Sequence, residues 1–149
     1  MLVADQASKA LLLDLLAANG FRGIELTGFL NLVMVWNEGV SFGLLGGGAE
    51  AMRWVLTGLA LVISGALAVW LGRTEARLQA LAIGLVIGGA LGNAIDRVVH
   101  GAVADFFDFH VAGWSWPAFN VADSAITVGV GLLLLDALLA PRSGPRLKP

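Results

Sequence analysis

Hydrophobic residues run in long blocks along this chain, and the few charges fall between them. From Trp54 to Gly72 nineteen residues pass without a charge, bounded by Arg53 and Arg73. As a helix rising 1.5 Å per residue, that block spans roughly 28 Å, close to the hydrocarbon thickness of a bilayer. Trp54 and Trp70 stand near its ends, where interfacial tryptophans belong. A second block, Leu78 to Ile95, has only Gln79 and Asn93 as strongly polar members, and a third runs from about Val121 to Ala140, ahead of Pro141. The pattern predicts membrane helices over 53–72, 78–97 and 121–140. Within the second, Gly84, Gly88 and Gly92 recur at four-residue spacing, a stripe of small residues suited to close helix packing.

The stretch 1–18 is patterned differently. Asp5, Lys9 and Asp14 interrupt it, and each charge near the centre of a span costs about 2.5–3.5 kcal/mol on insertion scales. It is expected to be a partial span that does not cross alone. Nor does it read as a cleavable leader, since no basic segment precedes an unbroken apolar one. Arg73 and Arg77 between two blocks, with Arg142, Arg146 and Lys148 in the tail, predict a cytoplasmic side and cytoplasmic termini. Segments 19–52 and 98–119 then lie outside. "IELTGFLNLVMVW" mixes β-branched and aromatic residues and ends at Asn37-Glu38-Gly39, which predicts a hairpin or small sheet. "ADFFDFHVAGWSWPAF" is expected to lie along the membrane surface, with Trp114 and Trp116 at headgroup depth. Gly46–Gly48 read as a flexible tip.

Composition sharpens this picture. The chain has 149 residues, one domain over 1–149, with 58% hydrophobic and 13% charged residues. A soluble domain averages about 25% charged. A mean hydropathy of +0.83 does not fit a globule that leaves about a third of its surface in water, so a water-soluble domain is excluded. The net charge of −2 gives no basic excess for nucleic acid. The absence of cysteine removes disulfides, thiolate metal sites and cysteine nucleophiles.

Ionisable groups beside membrane helices are the candidates for chemistry, because burying them is costly. These are Asp5, Asp96, Arg97, Asp105 and Asp123, with Asn37, Asn93 and Asn120 around them. Spacing alone reads them modestly. Asn93, Asp96 and Arg97 fit a helix end anchored at the interface. Asn120 and Asp123 resemble a capping box at the start of the last helix. Asp105 alone is a solvated loop acid. Two carboxylates brought together would change that reading, since one keeps its proton and the pair can act as acid and base. Asp105 and Asp123 fall on the same predicted side, but spacing does not show that they meet. Other plans are weaker: there is no HExxH, and His100 and His110 lack partners at zinc-ligand spacing. Ser8 and Lys9, adjacent on a helix, point apart.

Four stretches together resemble the bacterial lipoprotein signal peptidase family, signal peptidase II. They are "DQASK" at Asp5–Lys9, "NLVMVWNEGVSFGLL" at Asn31–Leu45, "GGALGNAIDRVVHGAVADFFDF" at Gly88–Phe109 and "PAFNVADSAITVG" at Pro117–Gly129. They occur in the family's order and cover nearly the whole chain. The resemblance implies an all-α membrane protein, a bundle of four transmembrane helices with a small periplasmic β-cradle, in the bacterial inner membrane with its active site near the outer face. It implies an aspartic endopeptidase that cuts diacylglyceryl-modified prolipoproteins before the lipidated cysteine, with no metal, no cofactor and no acyl-enzyme. The catalytic pair carries over to Asp105 and Asp123, and supporting or substrate-binding roles to Asp5, Asn37, Asn93, Asp96, Arg97 and Asn120. Prolipoproteins, membrane lipid and globomycin-type inhibitors are the implied partners.

In one respect the chain departs from that pattern. Family members have a full apolar helix leading to the "DQ" motif, whereas only Met1–Ala4 precede Asp5 here. Most of the first span is expected to be missing, and Asp5 is expected to be poorly held. From the residues alone, a small proton-coupled transporter and a purely structural subunit stay open as alternatives. Vesicle flux would mark the first, and indifference to neutralising Asp105 and Asp123 the second.

Overall fold

Each of the three charge-poor blocks forms a helix. The computed structural model describes residues 1–39 and 48–139. In chain order the elements are α1 (Leu2–Ala18), β1 (Ile24–Thr27), β2 (Leu30–Asn37), α2 (Gly48–Leu71), α3 (Arg77–His100), β3 (Val103–Val111), β4 (Trp114–Ser115) and α4 (Val121–Leu139). Among the described residues, Glu50–Leu71, Arg77–His100 and Val121–Leu139 are long and apolar enough to cross a membrane. Helix α1 does not join that group. Gly48 opens α2, while Gly46 and Gly47 of the expected flexible tip lie outside the described residues, as does the basic tail.

Helix α3 is the centre of the assembly and packs on α4, α2, α1 and β3. Its buried face carries Ala82, Ile83, Val86, Gly88, Gly89, Gly92, Asn93, Ala94 and Asp96. The glycines set how near its neighbours come. A Cβ on Gly89 would lie 2.5 Å from the carbonyl oxygen of Ala122, and one on Gly88 2.5 Å from the Met1 side chain. A Cβ on Gly92 would run into the Asp5 carboxylate, whereas Gly84 faces open space. The four-residue stripe is thus a docking surface for α1 at two of its three positions. Helix α2 wears its apolar residues outward, with Val62 71% exposed, as a helix facing hydrocarbon does.

Strands from residues 24–37 and 103–115 form one antiparallel sheet in the order β1-β2-β3-β4. The hairpin expected over 24–37 is present. The stretch 104–119, expected to lie along the membrane surface, forms most of β3 and all of β4. The reason is backbone satisfaction, because β2 offers β3 an edge from Leu30↔Phe109 to Asn37↔Val103 that pairs its N–H and C=O groups. Trp114 and Trp116 nonetheless remain exposed, at 58% and 54%. Beneath the sheet, Leu16 of α1 packs with Leu32, Ala104 and Phe106. Beyond β4 the chain returns to β3 through a bridge between Phe107 and Phe119. That bridge brings the start of α4 alongside β3.

Candidate active site

Four local features deliver the polar side chains to one place. Helix α3 ends at Gly101, whose φ of 85° suits a residue without a Cβ, and the chain turns at once into β3. This sets Asp105 a few residues beyond the C-terminal end of α3. The pairing of β2 with β3 shifts register between Leu32 and Val35, next to the pair Val35↔Asp105. Such irregularities re-aim side chains. The Phe107–Phe119 bridge places Asn120 beside Asp105, and the first turn of α4 follows with Asp123.

Asparagine amides hold both carboxylates. Asp105 Oδ1 accepts from Asn120 Nδ2 at 2.7 Å and its Oδ2 from Asn37 Nδ2 at 2.9 Å. Asp123 Oδ1 accepts from Asn93 Nδ2 at 2.8 Å and its Oδ2 from the backbone N–H of Asn120 at 3.1 Å. Every oxygen of the two groups therefore has one N–H donor, and Asn120 serves both. Asp105 is fully buried and Asp123 is half-buried. Burial raises the Asp105 carboxyl to about 6, with the charge of Asp123 adding to the rise and the bonds from Asn37 and Asn120 opposing it. The two acids are thus near enough to bias one another.

The asparagines are themselves oriented. Asn37 Oδ1 accepts the N–H of Gly39 at 2.9 Å, so its NH₂ turns to Asp105. Asn120 Oδ1 accepts the N–H of Asp123 at 2.9 Å, so its NH₂ turns to Asp105 and to Asn93 Oδ1 at 3.1 Å. Asn93 Oδ1 also accepts from Lys9 Nζ at 3.1 Å.

A second charged layer lies behind. Lys9 Nζ sits 2.9 Å from Asp5 Oδ2 and 2.7 Å from Asp96 Oδ2. Asp96 also accepts from Gln6 Nε2 and from the N–H of Ala104, which ties α1 and α3 to β3. Asp5 Oδ1 accepts the N–H of Ala122 at 3.0 Å. Asp5 has no exposed surface, contrary to the expectation that it would be poorly held. Its carboxylate rests on Gly92 of α3. Arg97 donates through Nη1 to the carbonyl of Asn93 at 3.2 Å, and its buried Nε has no partner among the described residues. Beside Asn37, an open cavity of about 470 Å³ is lined by residues that include Trp36, Glu38, Arg53 and His100.

Residues 1–139 match the signal peptidase (SPase) II family. The chain belongs to that family. Among curated signal peptidase II relatives, the lipoprotein signal peptidase of Methylobacterium sp. (strain 4-46) is 46% identical over 143 residues, 96% of this chain and 87% of that protein. The lipoprotein signal peptidase of Methylorubrum extorquens (strain PA1) is 48% identical over 146 residues, covering 95% and 84%. A bacterial membrane enzyme solved by the in meso method at 2.3 Å resolution superposes with a TM-score of 0.73 at 33% identity, covering 99% of this chain and 88% of that one. A second such structure, at 1.9 Å, gives a TM-score of 0.74 at 34% identity.

All eight residues singled out from the sequence fall in or next to this one cluster. The residues missed were Lys9 and Gln6. Asp5 and Lys9 stand four apart, the helical ion-pair spacing, and that signal was available. That the pair is buried depends on the docking of α1 onto α3, which no local pattern carries.

Proposed function

We propose that this chain is an aspartic endopeptidase that removes signal peptides from diacylglyceryl-modified prolipoproteins, cutting before the lipidated cysteine. The observation that carries this reading is the pair Asp105 and Asp123, bracketed through Asn120 at one end of three apolar helices. Two neighbouring carboxyl groups share a proton because both do not ionise together at close range. Burial of Asp105 favours its protonated form, which suits it to hold that proton.

The chemistry follows from one charged and one neutral partner. The ionised carboxylate takes a proton from a water molecule as the water oxygen attacks the scissile carbonyl carbon. The protonated carboxyl hydrogen-bonds the carbonyl oxygen and then gives its proton to the departing amine as the tetrahedral intermediate collapses. Asn37, Asn93 and Asn120 hold the acids in register. Arg97, with donor capacity in hand, binds a carbonyl of the substrate backbone. Asp5 and Asp96 anchor α1, α3 and α4 around them.

In this reading α1 belongs to the first of four spans, the turn carrying Arg73 and Arg77 is cytoplasmic, and the sheet is a cradle on the outer face of a bacterial inner membrane. Outward apolar residues on α1, with Val3 81% and Leu11 70% exposed, suit contact with lipid. The diacylglyceryl group lies between helices, and the cavity beside Trp36 receives the adjoining peptide. A globomycin-type cyclic peptide would compete for the same cleft.

The test is a gel-shift cleavage assay on a lipidated prolipoprotein. Asp105→Asn and Asp123→Asn are each expected to lower turnover by about a thousandfold, with the protein still folded in detergent. Near-normal turnover in either variant, or equal cleavage of a precursor lacking the lipid, overturns the proposal.

A further inference from the structure

Three asparagines aim their NH₂ groups inward at the site, and each is held that way by a donor to its Oδ1. For Asn37 and Asn120 that donor is a backbone N–H two or three residues away, from Gly39 and Asp123. For Asn93 the donors are side chains, the Lys9 ammonium on another helix and the Asn120 amide. Lys9 is the charged one. It is also nearly fully buried, at 4% exposure, although no reaction step described above uses it.

We infer that Lys9 is a positioning residue for the peptidase, fixing which end of the Asn93 amide faces Asp123. An amide turned by half a rotation has nearly the same shape, so packing alone does not choose between its two orientations. An ammonium has three donors and no acceptor, so Lys9 tolerates only the oxygen of Asn93. The NH₂ is then left to Asp123. In the opposite orientation Asn93 would set its carbonyl oxygen against the carboxylate. That would raise the energy of the ionised acid and leave a lone pair facing a lone pair in a buried site, a costly arrangement. The charged groups around Asn93 are Asp5 and Lys9 from α1, Asp96 and Arg97 from α3, Asp105 from β3 and Asp123 from α4. Among them, Lys9 touches the Asn93 oxygen directly. Its bonds to Asp5 and Asp96, at 2.9 and 2.7 Å, hold the ammonium in place.

This inference rests on the proposed peptidase reading, and the assay separates the two. Cleavage of a lipidated prolipoprotein by the unmodified protein, abolished in Asp105→Asn and Asp123→Asn, establishes the reading; no cleavage there fails it. Given cleavage, Lys9→Met is expected to lower kcat by about a hundredfold, the scale of a displaced catalytic group, with KM within about threefold. Lys9→Arg, which keeps a cationic donor, is expected to recover part of the rate. Lys9→Met leaves two buried acids short of a cation. If it does not fold, the comparison is Lys9→Met/Asp96→Asn against Asp96→Asn, with the same fall in kcat at near-constant KM expected. A rate that is unchanged, a KM that rises together with the fall in kcat, or no recovery in Lys9→Arg, overturns the inference and leaves Lys9 as an ion-pair anchor only.

Discussion

Asn120 and Asp123 cap one another: the Asn120 side-chain oxygen accepts the N–H of Asp123 at 2.9 Å, and an Asp123 carboxylate oxygen accepts the N–H of Asn120 at 3.1 Å. The reciprocal bonds satisfy N–H groups that helix α4 would otherwise leave without partners. The same two side chains face Asp105 and Asn93. Starting the helix and building the site are therefore one structural act.

Replacing Asn120 tests that coupling. Asn120→Ala removes a helix cap and the donor to Asp105 together. It is expected to cost about 1 kcal/mol of stability as a lost cap and to lower kcat by about a hundredfold through misplacement of the acids. Asn120→Ser keeps a capping oxygen and is expected to restore stability without restoring the rate. Thermal unfolding in detergent beside the cleavage assay separates the two effects.

The pH dependence should follow Asp105. In the proposed mechanism the reaction needs the Asp105 proton, so its carboxyl, raised to about 6, is expected to set the alkaline limb of kcat/KM in the free enzyme. Asn37 stabilises the ionised form, so Asn37→Leu makes the proton harder to remove. The alkaline limb is expected to move to higher pH in that variant, as read from kcat/KM profiles.

The glycines of α3 should differ sharply. Gly89→Ala drives a methyl against the backbone carbonyl of Ala122 and is expected to cost about 1–3 kcal/mol. Gly84→Ala meets open space and is expected to be neutral or to stabilise by up to about 1 kcal/mol, the gain in helix propensity. Unfolding midpoints of the two variants measure the contrast.

Spin labels at Trp114 and Trp116, both exposed near the end of the sheet, are expected to report headgroup depth in bilayers. Labels that read as free in bulk water would remove the idea of a cradle resting on the membrane.

The sequence carried those parts of the fold that are written locally. The three apolar blocks, the hairpin ending at Asn37-Glu38-Gly39 and the Asn120–Asp123 cap are each specified by neighbours in the chain, and each is found. The family resemblance singled out Asp105 and Asp123, but their approach depends on β2 pairing with β3 and on Phe119 bridging back to Phe107. Those are encounters between distant segments. Strand β3 was not foreseen as a strand, because its run of aromatics and acids, "ADFFDFHV", shows no pairing until a partner edge is supplied. Lys9 was passed over for a similar reason. Its charge counted as a cost of insertion, whereas Asp5 and Asp96 neutralise it inside the protein.

The bond from Asp5 to the N–H of Ala122 joins residues 117 positions apart. Chain growth at about 5–20 residues per second separates the synthesis of its two ends by roughly 6–23 s. Through that interval α1 is already made, while Asn120 and Asp123 have yet to be added. The assembly is thus completed late, by arrival of the last helix. A nascent chain carries no finished cleft while its own segments are still threading into the bilayer.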